Sequence, residues 1–156
     1  MEIERKYLVN KEEIPFDIAQ FENHFIEQAY LCTDPVVRVR KEDDNYYMTY
    51  KGKGLMAREE YNLPLNETSY YHLLEKADGN VITKRRYLIP FKENSLNKEL
   101  TIELDIFEGV FTGVCLAEIE FESVEDAEKI IPPVWFDRDV TFEKTYHNSE
   151  MSKTIL

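Results

Sequence analysis

The chain opens on Glu2-Ile3-Glu4-Arg5-Lys6-Tyr7-Leu8-Val9, and the reading of this stretch decides the fold. With the two-residue period of a strand, Glu2, Glu4, Lys6 and Leu8 share one face, while Ile3, Arg5, Tyr7 and Val9 share the other. A half-buried strand ordinarily turns its charges to water. Two carboxylates and an ammonium in strict alternation can also face an enclosed space, where they would hold a divalent cation and the anion it carries. One stretch leaves both arrangements open, so repetition elsewhere in the chain decides between them.

The pattern does repeat. Strands are expected at 28–32, 36–41, 46–51, 58–63, 81–89, 98–107 and 114–122, which with the first makes eight. One face collects Gln28 and Tyr30, then Arg38 and Arg40, then Tyr47, Thr49 and Lys51. It continues with Arg58, Glu60 and Asn62, the pair Lys84 and Arg86, the pair Glu103 and Asp105, and finally Glu118, Glu120 and Glu122. The opposite face is largely apolar, as in Leu100, Ile102, Leu104 and Ile106. Such a sheet could lie open with its charges in water. Closed on itself, it becomes an inverted barrel with charges inside and helices on the apolar exterior. Eight strands enclose about one small ligand, and closure removes the free sheet edges.

Helices are expected between the strands. Ile14, Ile18, Phe21 and Phe25 suggest one from Lys11 to about Phe25, interrupted early by Pro15. A second starts near Asn66 or Thr68 and buries Tyr70, Leu73, Leu74 and Ala77. A third follows the acidic cap Ser123-Val124-Glu125-Asp126 as far as Ile131, where Pro132-Pro133 stops it. The remainder from Val134, with the single tryptophan Trp135, reads as a packed segment. The expected class is α+β: an eight-stranded antiparallel β-barrel with a charged lumen and flanking helices, one domain over residues 1–156.

Bulk properties narrow the function classes. Hydrophobic residues make up 43% of 156, enough for a proper core. A net charge of −12 argues against non-specific nucleic-acid binding, which needs a positive face. The apolar runs are too short for a membrane span and the first residues do not read as a signal peptide, so a cytoplasmic location is expected. Cys32 and Cys115 lack metal-ligand spacing and are expected to be reduced core residues. His24, His72 and His147 are scattered, and no Ser/His triad is expected. Lys51-Gly52-Lys53-Gly54 is not a phosphate-binding loop, because its glycine spacing is wrong and it joins two strands.

Charge counting favours the closed form. Inward cations would be Lys6, Arg38, Arg40, Lys51, Arg58, Lys84 and Arg86, seven of 19; inward anions would be Glu2, Glu4, Glu60, Glu103, Asp105, Glu118 and Glu120, seven of 31. Such a lumen is near neutral. Two divalent cations would add four positive charges and a triphosphate roughly four to five negative ones. Metal plus polyphosphate fits this balance, with other polyanions left open.

The same residues carry a resemblance. Glu2-x-Glu4-x-Lys6 resembles the signature of CYTH domains, the triphosphate tunnel metalloenzymes. The likeness continues through Arg38-Val39-Arg40, Thr49-Tyr50-Lys51, Arg58-Glu59-Glu60, Lys84-Arg85-Arg86-Tyr87, Glu103-Leu104-Asp105 and Glu118-Ile119-Glu120. Pro132-Pro133-Val134-Trp135-Phe136 and Lys144-x-Tyr146-x-Asn148 resemble the small bacterial branch that hydrolyses inorganic tripolyphosphate. The resemblance implies a small-molecule triphosphate substrate, Mg²⁺ or Mn²⁺ as cofactor, no nucleic-acid or membrane partner, and a monomer or homodimer. It implies metal ligation by Glu2, Glu4, Glu118 and Glu120, and phosphate binding by Arg38, Arg40, Lys51, Arg58, Lys84 and Arg86. Glu60, Glu103 and Asp105 would be supporting lumen carboxylates. It further implies Tyr30 as proton acceptor beside Lys6, whose ammonium would assist proton loss from the phenol. Asn62 departs from the pattern, since related sequences often carry a carboxylate there. A class IV adenylyl cyclase, a thiamine triphosphatase and a non-catalytic polyphosphate-binding module remain as alternatives on the same fold.

Overall fold

The computed structural model describes residues 1–93 and 96–154, and within them the charged faces turn inward. The strands are β1 (Glu2–Val9), β2 (Glu22–Thr33), β3 (Val36–Glu42), β4 (Asn45–Lys51), β5 (Ala57–Arg58), β6 (Glu60–Leu65), β7 (Asp78–Glu93), β8 (Lys98–Glu108), β9 (Cys115–Glu120) and β10 (Phe136–Asp139). Their order is β10-β1-β9-β8-β7-β2-β3-β4-β6, with every pairing antiparallel. β5 reaches back to β1 through Glu2↔Arg58 and Ile3↔Ala57. This contact brings the two ends of the sheet together into a nearly closed barrel.

Among the described residues ten strands replace the expected eight, for two reasons. The stretch expected at 58–63 divides around Glu59, whose carbonyl accepts from the Gly52 amide at 3.0 Å. The packed segment near Trp135 adds β10 against β1. The helix expected from Lys11 to Phe25 does not form. Two 3₁₀ turns, Lys11–Glu13 and Ile18–Gln20, take its place, and Asn10 and Asp17 cap them by accepting from Glu12 N and Ala19 N. Local capping on either side of Pro15 outcompetes the helical spacing. Phe16, Ile18 and Phe21 still reach the core, but as side chains of an irregular segment.

Two apolar bodies hold the barrel. The outer one gathers Tyr7, Leu104, Ala117 and Ile119 from the outward faces of β1, β8 and β9, beneath α2 (Val124–Lys129) and the 3₁₀ segment. Leu104 and Ile119 are fully buried, each contributing about 1.5–3 kcal/mol. Trp135 stacks edge-on against Phe136 at 4.7 Å and Phe16 at 5.5 Å. Arg5 points outward too, donating to the Ala127 carbonyl and pairing with Asp139, so it ties α2 and β10 to β1.

The second body contains Tyr30, Ile82, Phe107, Leu116, Val140 and Met151. Phe107 shares strand parity with Asp105, Leu116 with Glu118, and Ile82 with Lys84. This cluster is therefore an apolar floor within the barrel, met by Met151 of α3 (Asn148–Met151). On the far side α1 (Glu67–Leu74), started by an Asn66–Ser69 capping box, lays the fully buried Tyr70 against Tyr46. Cys115 is buried as expected, but Cys32 is exposed. The β2–β3 register shifts between Tyr30 and Cys32, so Cys32 pairs with Val37. The irregularity turns the thiol to the outer face.

Candidate active site in the bore

Register builds the site. Glu4 lies opposite Glu120 and Lys6 opposite Glu118 on β1 and β9. Arg40 lies between Gln28 of β2 and Tyr47 of β4, while Lys51 faces Glu60. Directly opposed residues of antiparallel strands share a face, so these pairs all enter the same space. A one-residue slip would turn each set outward. The space is a cavity of about 690 Å³. Tyr30, Lys6, Arg38, Arg40 and Lys51 line it, as do Arg58, Lys84 and Arg86. So do the carboxylates Glu2, Glu4, Glu60, Glu118 and Glu120.

Ion pairing inside the bore is uneven. Lys6 meets Glu118 at 3.2 Å, Lys51 meets Glu2 at 2.9 Å, and Lys84 meets Asp105 at 2.7 Å. Arg86 is held by Glu103 and Asp105, with Glu118 at 3.6 Å. Arg38 has no carboxylate within ion-pair distance among the described residues, and its buried Nε has no hydrogen-bond partner. Arg40 reaches a carboxylate only at 3.9 Å, from Glu42. Burial, together with the neighbouring Arg38 and Arg86, lowers the Arg40 guanidinium from its ordinary range. Arg38 and Arg40 are the least compensated cations of the wall, and a buried uncompensated charge is costly. An anion placed there would remove that cost.

The complementary deficit lies on β1 and β9. Glu2, Glu4 and Glu120 each offer a carboxylate oxygen, all within 4.8 Å of one another. Burial, then repulsion from Glu118 and Glu2, pushes Glu4 up to about 8. Burial, then Glu103 and Glu2, pushes Glu120 up to about 7. Glu2 is also raised by burial, although Lys51 opposes the shift. Glu2 is paired with Lys51 and Arg58, but Glu4 and Glu120 have no cation within ion-pair distance among the described residues, and three clustered carboxylates suit a hard divalent ion, which prefers oxygen ligands. Among the described residues this is the only such group.

The other expected carboxylates sit elsewhere around the bore. Glu118 is drawn to Lys6 and Arg86 instead of joining the carboxylate triad. Burial alone would raise its carboxyl, but those cations hold it well below the ordinary range. Asp105 is fully buried behind the wall, where it pairs Lys84 and Arg86 without lining the cavity. Glu103 lines a second, adjoining cavity of about 580 Å³, with Glu120 between the two. Tyr30 and Lys6 both line the bore, yet their side chains are not directly bonded. Lys6 donates to Glu118 and to the Tyr146 carbonyl, while the Tyr30 hydroxyl meets Gln28 at 3.5 Å. The strand pairings put both on the wall.

Other polar residues take part without having been assigned a role from sequence. Asn148 lines the cavity from α3 and accepts from Lys84 at 2.9 Å. His147 is buried behind it, and burial together with the Lys6 charge lowers its imidazole to about 4, so it stays neutral. Asn62 faces the bore, accepting from Thr49 at 2.6 Å and donating to Glu60. An alternating strand announces its inward residues, whereas Asn148 on a short helix carries no such periodic signal.

Comparison with known proteins agrees with this geometry. The CYTH domain model matches residues 1–153. The chain is 33% identical to the inorganic triphosphatase of Nitrosomonas europaea, covering 99% of this chain and 98% of that one. It is also 33% identical to the inorganic triphosphatase of Acetivibrio thermocellus, covering 97% and 93%. The crystal structure of the inorganic triphosphatase NE1496 superposes with a TM-score of 0.70 at 32% identity, over 99% of this chain and 96% of that one. With a matching family model over nearly its whole length, the chain belongs to the CYTH domain family.

Proposed function

We propose that this chain is an inorganic triphosphatase, a hydrolase that cleaves a phosphoanhydride bond of tripolyphosphate within the bore. The observation that carries the reading is the uneven pairing: Arg38 and Arg40 on one side, Glu4 and Glu120 on the other, within one 690 Å³ cavity. The full-length likeness to two proteins named inorganic triphosphatase supports the same substrate class.

Each wall has a part in this reading. Arg38 and Arg40 grip phosphate oxygens through their planar donors, while Lys51, Lys84, Arg58 and Arg86 supply further positive charge. Glu2, Glu4 and Glu120 hold Mg²⁺ or Mn²⁺. The ion, when bound, supplies charge neutralisation and polarises a phosphoryl oxygen. Lys6 and Glu118 keep each other charged at the junction of the two walls. Tyr30, buried on the bore surface, serves as proton acceptor for the attacking water, with Gln28 touching its hydroxyl. Phosphoryl transfer depends chiefly on positioning and charge stabilisation, which a preformed ionic cage provides.

A phosphate-release panel tests the proposal. Purified protein is incubated with tripolyphosphate, pyrophosphate, ATP or thiamine triphosphate, with Mg²⁺ or Mn²⁺ and with EDTA. Preferential turnover of tripolyphosphate that EDTA abolishes is expected. Faster turnover of ATP or thiamine triphosphate, formation of cyclic AMP, or binding without turnover would refute it.

A further inference from the structure

Two of the bore's cations are joined by a chain of neutral amides. Gln28 Oε1 accepts from Arg40 Nε at 2.7 Å, and Gln28 Nε2 donates to Asn148 Oδ1 at 2.8 Å. Asn148 Oδ1 also accepts from Lys84 Nζ at 2.9 Å. Gln28 is fully buried, Lys84 is 1% exposed and Asn148 8%. The direction of the chain follows from its ends. Burial lowers Lys84 to about 7, but its pair with Asp105 at 2.7 Å favours the ammonium, which only donates, so Asn148 turns its oxygen to Lys84. That oxygen then requires the amide N–H of Gln28, which leaves the Gln28 oxygen for Arg40. Each link specifies the next.

Carboxylates occupy many other positions around this bore, yet none occupies these two. An Asp or Glu would anchor the cations more strongly but would also neutralise them. We infer that Gln28 and Asn148 are positioning residues: the Gln28 oxygen fixes Arg40 while leaving its charge for an anionic substrate, and the Asn148 oxygen fixes Lys84 without adding a second carboxylate to the Asp105 that already pairs it at 2.7 Å. The inference rests on the reading of the bore as a triphosphate site. It also gives the Lys144–Met151 region a role: Asn148 orients Lys84, and the Tyr146 carbonyl accepts from Lys6 at 3.3 Å. A segment remote in sequence thereby completes the cationic wall.

The test uses the near-isosteric variants Asn148→Asp and Gln28→Glu, which keep the oxygen and add a charge. KM and kcat for tripolyphosphate are measured with Mg²⁺. Binding is read separately in EDTA, as the rise in melting temperature that tripolyphosphate causes. KM is expected to rise about tenfold or more, with a smaller change in kcat, because the new carboxylate competes with phosphate for the same cations. The tripolyphosphate-dependent rise in EDTA should largely disappear, while the ligand-free melting temperature stays at or above that of the unmodified protein. Unchanged KM and an unchanged EDTA shift overturn the inference, as does a fall in kcat alone. Should Asn148→Asp fail to fold, Gln28→Glu carries the test. An unmodified protein that shows the EDTA shift but no hydrolysis refutes the enzymatic reading and leaves this inference standing, whereas hydrolysis with Mg²⁺ but no shift in EDTA overturns this inference and leaves the enzymatic reading standing.

Discussion

Replacing Glu4 with glutamine should pull stability and activity in opposite directions. Glu4 is 4% exposed, no cation lies within ion-pair distance of it among the described contacts, and its carboxyl is pushed up to about 8. A folded-state pKa above the unfolded value of 4.5 gives stability that is complete below pH 4.5 and is lost as pH rises toward 8. At pH 7 the loss from this one group is about 3 kcal/mol in the metal-free protein. Glutamine has nearly the same shape and no titration, so it recovers up to that amount. For a chain of this size the melting temperature should rise by about 6–12 °C. Metal reverses the comparison, because the substitution removes one of the three carboxylates offered to it. The assay is thermal melting of both proteins at pH 4.5 and pH 7, in EDTA and in saturating Mg²⁺, beside tripolyphosphate turnover. The expected pattern is a stabilised variant in EDTA at pH 7, no gain at pH 4.5, and loss of most metal-dependent activity. Equal melting temperatures in EDTA at pH 7, or turnover within a few-fold of the original, would refute the reasoning.

Three further outcomes are expected. Binding of Mg²⁺ at pH 7 should release about one proton or more, because Glu4 at about 8 and Glu120 at about 7 must ionise. Metal affinity should therefore climb with pH up to about 8, and calorimetry in buffers of different ionisation enthalpy measures both effects. Tyr30→Phe should lower kcat much more than it changes KM, and should alter the pH–rate profile; a retained profile excludes the base role. Gly79→Ala should destabilise the fold by about 2 kcal/mol or more, read by denaturant titration. Gly79 has φ +75°, and a Cβ there would lie 2.2 Å from the Ser152 carbonyl oxygen.

How much of this was legible in the sequence depends on how each residue is held. Glu2, Glu4 and Lys6 announce themselves because a strand of period two has only one way to put them together. Arg38 with Arg40 and Lys84 with Arg86 follow by the same rule. The stretch from Lys11 to Phe25 misleads because its apolar spacing suits a helix, while the Asn10 and Asp17 side chains each close a separate 3₁₀ turn. Cys32 is misplaced by one register shift, which periodicity cannot anticipate. Division of labour among the carboxylates was also hidden. Glu118 and Glu120 share a face, and only the three-dimensional placement shows that Glu118 meets Lys6 and Arg86 while Glu120 gathers with Glu2 and Glu4. Asn148 stands in the Lys144-x-Tyr146-x-Asn148 motif, but its role was hidden, since its partners Gln28 and Lys84 are far away in the chain.

The short strand β5 has a consequence of its own. Among the described residues the cylinder is fastened there by two strand pairs, Glu2↔Arg58 and Ile3↔Ala57, and by the Glu4 N–H to the Met56 carbonyl at 2.9 Å, its shortest ladder. The outer pair of that clasp consists of residues that also face the bore. Cation held by Glu2 and anion held by Arg58 would then bind across the join from within, so cargo and container fasten one another. Loading the bore should slow amide hydrogen exchange along this seam more than on the continuous ladder between β7 and β8.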